Sequence, residues 1–352
     1  MKKVLAFVLS LCMLLPLVAC GNNGSGNSGS GTAGNNGDDI TAEHPITMVV
    51  AHDEVLDSPQ QRAMEAFKEY VEAESGGRIV VELHANGELG DAATMANMIG
   101  MGSVQASSFC SDILATYNDK LSFLCLPFLF DDYEQAVDLV WNPDGELHKL
   151  YQEEANKAGY YILGFQYDGQ RGFSNNVREV LTAEDMKGLK VRVMQSDISV
   201  ATFTALGCNV TPMSFSEVYT ALQQNVVEGQ DNPASLTLAN KFNEVQKYYS
   251  TIGHNMNVSI FVTNKDWLES LPDDLREIVL YAGEEFGGKQ KREETRALEE
   301  ADLKEIDESG CKVTRIEDKS SFIEATQSVY DQFRGIYGDE FMDTVLKAVG
   351  KA

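Results

Sequence analysis

Past residue 45, short apolar runs of strand length alternate with stretches of helical period. Residues 46–51, 78–84 and 104–109 are rich in β-branched and apolar side chains and read as strands. A helix is expected from Ser58, with Pro59 in its first turn, and another over 91–101. The stretch 121–130 (LSFLCLPFLF) is the most apolar of the chain beyond its first twenty residues; Pro127 interrupts any simple helix there, and the segment is expected to cross a core. Residues 131–159 read as mainly helical, broken at 142–145 (NPDG), before a strand over 160–167.

The pattern then repeats. In 188–193 (GLKVRV), Val191 and Val193 share one face and Lys190, Arg192 and Met194 the other, so Arg192 points away from the valine-packed side. A helix over 196–206 is closed by Gly207, and Ser214 with Glu217 forms a capping box that opens a helix over 215–224. A short strand over 226–228 leads into a tight turn at 229–233 (GQDNP), and two further strands follow at 248–255 and 258–263. Residues 275–308 form the longest helical pattern, with Leu275, Ile278, Val279, Ala282 and Phe286 at one end, Leu298, Ala301 and Ile306 at the other and polar residues between. A strut joining two domains has this form, and two helices broken at Gly287-Gly288 is the alternative. Strands alternating with helices predict an α/β protein, and the foldable length exceeds one typical domain.

The first residues are of another kind. Lys2 and Lys3 precede an apolar run over 4–19 that ends in Leu17-Val18-Ala19-Cys20, the form of a secretory signal over 1–19; Cys20 directly after the cut resembles a bacterial lipobox, which implies its lipidation, an ordinary signal peptide or an uncleaved anchor being the alternative. Residues 20–44, dominated by Gly, Asn and Ser, then form a flexible tether. The formal charge of the 352-residue chain is −26, and removal of the signal takes two lysines and no acid, giving −28. Such acidity argues against nucleic acid and anionic lipid as main partners, and an anionic ligand would have to meet local positive charge. Beyond Cys12 and Cys20, the cysteines are Cys110, Cys125, Cys208 and Cys311. None has a metal-site spacing; an exported chain could join them in disulfides, while their apolar surroundings favour buried thiols. The five histidines form no catalytic grouping, and no cofactor motif is present.

Several ordered motifs resemble one family. They are DMKGLKVR (185–192), TPMSFSEVYTALQ (211–223) and EGQDNP (228–233), together with NGELG (86–90) and FNEVQ (242–246). In this order and spacing the chain is similar to the extracytoplasmic solute receptors of TRAP transporters, the DctP family, from about residue 45 to the C-terminal region and most weakly after Gly310.

The resemblance implies a two-lobed, periplasmic-binding-protein-like α/β fold with a ligand cleft between the lobes. The first lobe would take 45–168 and 258–285, the second 169–257 and 298–352, with a long helix over 272–308 bridging them. It implies that Arg192 clamps a ligand carboxylate, that Arg171 in DGQRGF (168–173) is a second ligand-facing arginine, and that Asn232 and Phe215 line the site. The glycines flanking Arg171 would let backbone approach the ligand. Gln195 is a further candidate contact, as are His52 and Asp112 in loops at the carboxyl ends of predicted strands, where ligands of α/β sheets bind.

The implied function is capture of an organic anion, a C4-dicarboxylate or a sugar acid, and its delivery to the membrane subunits of a TRAP transporter. The protein would be a monomer held at the extracytoplasmic face of the membrane by its lipid, with no metal, cofactor or nucleic acid. Two alternatives stay open from the residues alone: an exported enzyme acting on acidic sugars, and a receptor that serves signalling.

Overall fold

The computed structural model of the protein describes residues 40–352. The expected signal segment, the Cys20 anchor and the tether as far as residue 39 lie outside the described residues. Eleven strands are present among those described: β1 (Ile46–His52), β2 (Ile79–His84), β3 (Ala106–Cys110), β4 (Tyr160–Tyr167), β5 (Gly172–Asn175), β6 (Lys190–Val193), β7 (Asn209–Pro212), β8 (Gly229–Asn232), β9 (Tyr248–Ser250), β10 (Val258–Asn264) and β11 (Lys312–Thr314). They form two sheets, one of order β2-β1-β3-β10-β4 and one of order β11-β9-β5-β8-β6-β7. The protein is therefore two-lobed.

In the first sheet β1, β2 and β3 run parallel, and β10 returns from the second lobe to pair antiparallel with both β3 and β4. Helix Pro59–Glu74 is capped by the Ser58 side chain, as its sequence predicts, and packs Met64, Phe67 and Val71 on one face of this sheet. The other face carries a larger core. There the apolar segment 121–130 buries Leu121, Phe123, Leu124, Leu126 and Leu129 in a 3₁₀ stretch and the turns that follow.

The C-terminus departs from expectation. The sequence places 298–352 in the second lobe, but within that range Val329, Phe333, Tyr337, Phe341 and Met342 pack into the core of the first sheet. The Tyr337 and Ser122 hydroxyls hydrogen-bond at 2.7 Å, and Phe341 meets the Phe123 ring edge-on. The apolar stripes of helices Ser320–Tyr337 and Asp339–Ala348 supply these contacts, with Val329, Phe333 and Tyr337 buried on the first helix and Phe341, Met342 and Val345 on the second.

The long helix is continuous from 273 to 308. It runs as α-helix over Asp273–Ala282, widens to a π segment over Gly283–Gln290, and resumes as α-helix over Lys291–Glu308. Gly287 and Gly288 do not break it. They let it lie against β4: an added Cβ on Gly164 would come 2.5 Å from the Gly283 carbonyl oxygen and 2.8 Å from the Gly288 nitrogen. The first part of the helix packs on Pro59–Glu74 and β4, and the last part on helix Ala234–Ala239 and β11.

Candidate functional site

Strand β6 sets the site. Val191 and Val193 enter the core of the second lobe, and Arg192 between them emerges on the opposite face. Its Nε and Nη2 donate to the Met213 carbonyl at 3.1 and 2.8 Å, and its guanidinium carbon lies 5.9 Å from the Phe215 ring centroid. The side chain is only 2 % exposed, yet Nη1 has no hydrogen-bond partner. Burial pulls its pKa down to about 10, which still leaves it a cation at neutral pH.

Arg171 is as deeply buried but differently used. It donates from Nε to the Asp231 carboxylate at 2.6 Å, from Nη1 to Asn257 at 2.9 Å, and from Nη2 to the Asp231 carbonyl at 2.5 Å and to Asn232 at 3.3 Å. Four of its five N–H groups are thus spent within the protein. Burial opposes the Asp231 charge, but Arg171 and the nearby His254 hold its pKa down at about 2.

The glycines beside Arg171 serve the protein instead of a ligand. Gly169, at φ +110°, makes room for Pro233, and a Cβ on Gly172 would run into the Tyr249 ring. The expected turn at 229–233 is also corrected: Gly229–Asn232 is β8, a buried strand paired between β5 and β6. Its polar side chains are matched by Ser174 for Gln230, Arg171 for Asp231 and Gln230 for Asn232.

These groups surround a cavity of about 90 Å³. Arg171, Arg192, Gln195, Phe215 and Asn232 line it from the second lobe, and Asp53, Glu54, Asp91 and Ser108 from the first. Asp168, Asn257, Ser259 and Lys291 complete the wall. Lys291 was not foreseen. It is 2 % exposed and donates to Glu54 at 2.9 Å, to Gln60 at 2.6 Å and to Asp168, which also accepts from Asn257 and Ser259. Burial works against the lysine's charge, but Asp168 and Glu54 outweigh it and raise its pKa. Burial, reinforced by Glu54, pushes the Asp53 carboxyl up to about 7.

Five of the seven candidate contacts, Arg192, Arg171, Asn232, Phe215 and Gln195, are thus brought to one cavity. Two are not. The alternation of β1 turns His52 towards helix Pro59–Glu74, where Nε2 meets Gln61 Oε1 at 2.9 Å, and burial lowers its pKa to about 4. The next residue, Asp53, reaches the cavity in its place. Asp112 sits in the 3₁₀ turn Ser111–Thr116, between the lining residues Cys110 and Ile113 but directed beneath the wall. Lys291 had one sequence signal: it lies four and three residues beyond Gly287 and Gly288, on the helix face that the glycines bring against the sheet.

The profile of bacterial extracellular solute-binding protein, family 7, matches residues 50–335. A solute-binding protein of Verminephrobacter eiseniae is 29% identical over 308 residues, 88% of this chain and 91% of that one. Two crystal structures superpose closely. The sugar acid binding protein DctPAm of Advenella mimigardefordensis in complex with galactonate gives a TM-score of 0.81 at 29% identity, covering 87% of this chain and 98% of that one. A TRAP periplasmic solute binding protein of Sulfitobacter sp. NAS-14.1 with bound β-D-galacturonate gives 0.82 at 30% identity, covering 86% and 99%. With its motifs in order, its two sheets and its buried arginine facing a cavity, the chain belongs to bacterial extracellular solute-binding protein family 7, the DctP family of TRAP solute receptors.

Proposed function

We propose that this receptor captures a sugar acid with a single carboxylate, an aldonate or uronate, for delivery to the membrane subunits of a TRAP transporter. The observation that carries the choice is the pairing of the cavity's cations. Arg171 is matched by Asp231 and Lys291 by Glu54 and Asp168, while Arg192 meets only a backbone carbonyl and keeps Nη1 free. One unmatched cation among the described lining residues suits one carboxylate, received by a planar fork whose donors fit both oxygens. The remaining lining groups, Asp53, Ser108, Gln195, Asn257 and Ser259, suit hydroxyls. A C4-dicarboxylate would bring a second charge with no free cation to meet it. The sugar acids bound by the two structural relatives support the same choice, and the family's receptors are not enzymes.

Calorimetry with galactonate, galacturonate, succinate and malate tests the proposal. Heat from the sugar acids and none from the dicarboxylates is expected; the reverse order would overturn it.

The receptor is further proposed to act as a monomer anchored through Cys20. The support is the charged, apolar and small-residue order of 1–20. A mature mass that begins at Cys20 with added acyl chains, and release from membranes by Cys20→Ala, are the expected results. A membrane-bound Cys20→Ala product that begins at Met1 would sink the anchor.

A further inference from the structure

At the cavity wall, the end of β3 and the apolar crossing segment bring together three side chains, of which only Cys110 borders the ligand cavity. The Cys110 and Cys125 sulfurs and a carboxylate oxygen of Asp112 all lie within 4.8 Å of one another. Asp112 is 2 % exposed, and neither of its oxygens has a hydrogen-bond partner. Leaving a carboxylate buried and unpaired is costly, so this group calls for a counter-charge at the point it shares with the two thiols. Both cysteines are free thiols.

We propose that Cys110, Asp112 and Cys125 form a binding site for one thiophilic divalent cation of the zinc class. Two sulfurs and a carboxylate oxygen are donors such an ion accepts, and three protein ligands leave a fourth position open. Tetrahedral coordination at a metal–sulfur distance of about 2.3 Å sets ligand atoms roughly 3.8 Å apart, so the triangle closes with side-chain shifts of about half an ångström.

The charges also fit. Two thiolates and one carboxylate around a divalent ion sum to −1, and Arg171 lies one side chain away: its Nη1 and the Cys110 sulfur both reach Asn257 Oδ1, at 2.9 and 3.4 Å. Capture releases two protons, because both sulfurs must be deprotonated to coordinate. Cys110 also lines the ligand cavity, which gives the ion its way in. A disulfide between the same cysteines is the competing outcome; it would use both thiols and leave Asp112 without a partner.

The test is titration of the full chain, carrying Cys12→Ser and Cys20→Ser so that four thiols remain, with Cd²⁺ as the probe under reducing conditions. One Cd²⁺ per chain with a cadmium–thiolate absorption band is expected, accompanied by proton release. Binding should weaken about 100-fold or more in Cys110→Ser, Cys125→Ser and Asp112→Asn, and stay unchanged in Cys208→Ser. Asp112→Asn preserves shape, and its thermal melt separates loss of the carboxylate from loss of the fold. No band in the parent protein, or a band undiminished in folded Asp112→Asn, would overturn the site. So would a Cys110–Cys125 disulfide found by peptide mapping in a protein that takes up no metal. Sugar-acid binding is read separately, by calorimetry on the metal-free parent protein, so failure of the metal site and failure of the sugar-acid reading are distinguishable.

Discussion

Arg192 and Arg171 are equally buried, but their neighbours give them different work. Arg171, between β4 and β5, ties β8 to Asn257 at the head of β10 and has one N–H left over, whereas Arg192 is held by a single carbonyl and keeps one nitrogen free. Truncating one partner of a desolvated charge pair costs about 2–5 kcal/mol, so Arg192→Ala should weaken sugar-acid binding by roughly 30-fold to several thousand-fold. The unliganded melting temperature should stay near the parent's. Arg192→Lys keeps the charge and loses the fork, and calorimetry should place it between the two. Unchanged affinity in a folded Arg192→Ala protein would refute the clamp.

Asp53 adds a pH dependence. With its pKa at about 7, the carboxyl is largely neutral at pH 6, where it can donate to a ligand oxygen, and charged at pH 8, where it repels the ligand's carboxylate. Affinity should therefore fall as pH rises through about 7, and Asp53→Asn should flatten the profile. The linkage to stability has the same sign. A carboxyl whose folded pKa is raised binds more protons folded than unfolded, so its effect on stability worsens from about pH 4 up to about pH 7. Melts at pH 8 should find Asp53→Asn the more stable protein. Arg192 was legible in the sequence because strand alternation with two valines fixed its face. Asp53 and Lys291 were not, since their roles depend on which loop and which helix face meet across the cavity.

At the scale of elements, the long helix shows how close packing and polarity are combined. Its glycines let it touch β4, and one step further Lys291 is delivered into the acids at the ends of β1 and β4. Gly164→Ala forces a methyl group against the helix backbone and should destabilise the protein by about 1–3 kcal/mol in denaturant melts. Lys291→Met leaves Glu54 and Asp168 buried without their cation, and breaking such a pair costs about 3–5 kcal/mol, more than the loss of a surface ion pair. The helix itself was readable from its apolar ends. Strand β8 was not: Gly, Asp and Asn are depleted from strands, and only the partners supplied by Ser174, Arg171 and β6 make GQDN a buried one. Nor was the side on which the C-terminal residues pack, since that depends on a core assembled from segments far apart in the chain.

For the whole molecule, two sheets with a cavity between them and a helix packed on both suggest closure around the ligand. Solution scattering should show the radius of gyration fall on addition of saturating sugar acid; superimposable profiles would contradict closure. The connectivity of the first sheet has a consequence of a different kind. β4 lies at the sheet edge and pairs with β10 alone among the described strands, yet residues 168–257 lie between the two in the chain. At synthesis rates of about 5–20 residues per second, β4 leaves the ribosome on the order of ten seconds before its partner. During that interval the backbone groups of Tyr160–Tyr167 that β10 pairs have no strand beside them. The first lobe therefore assembles only after most of the second has been made, and a chain kept unfolded until its synthesis is complete escapes the aggregation that an orphaned apolar strand invites.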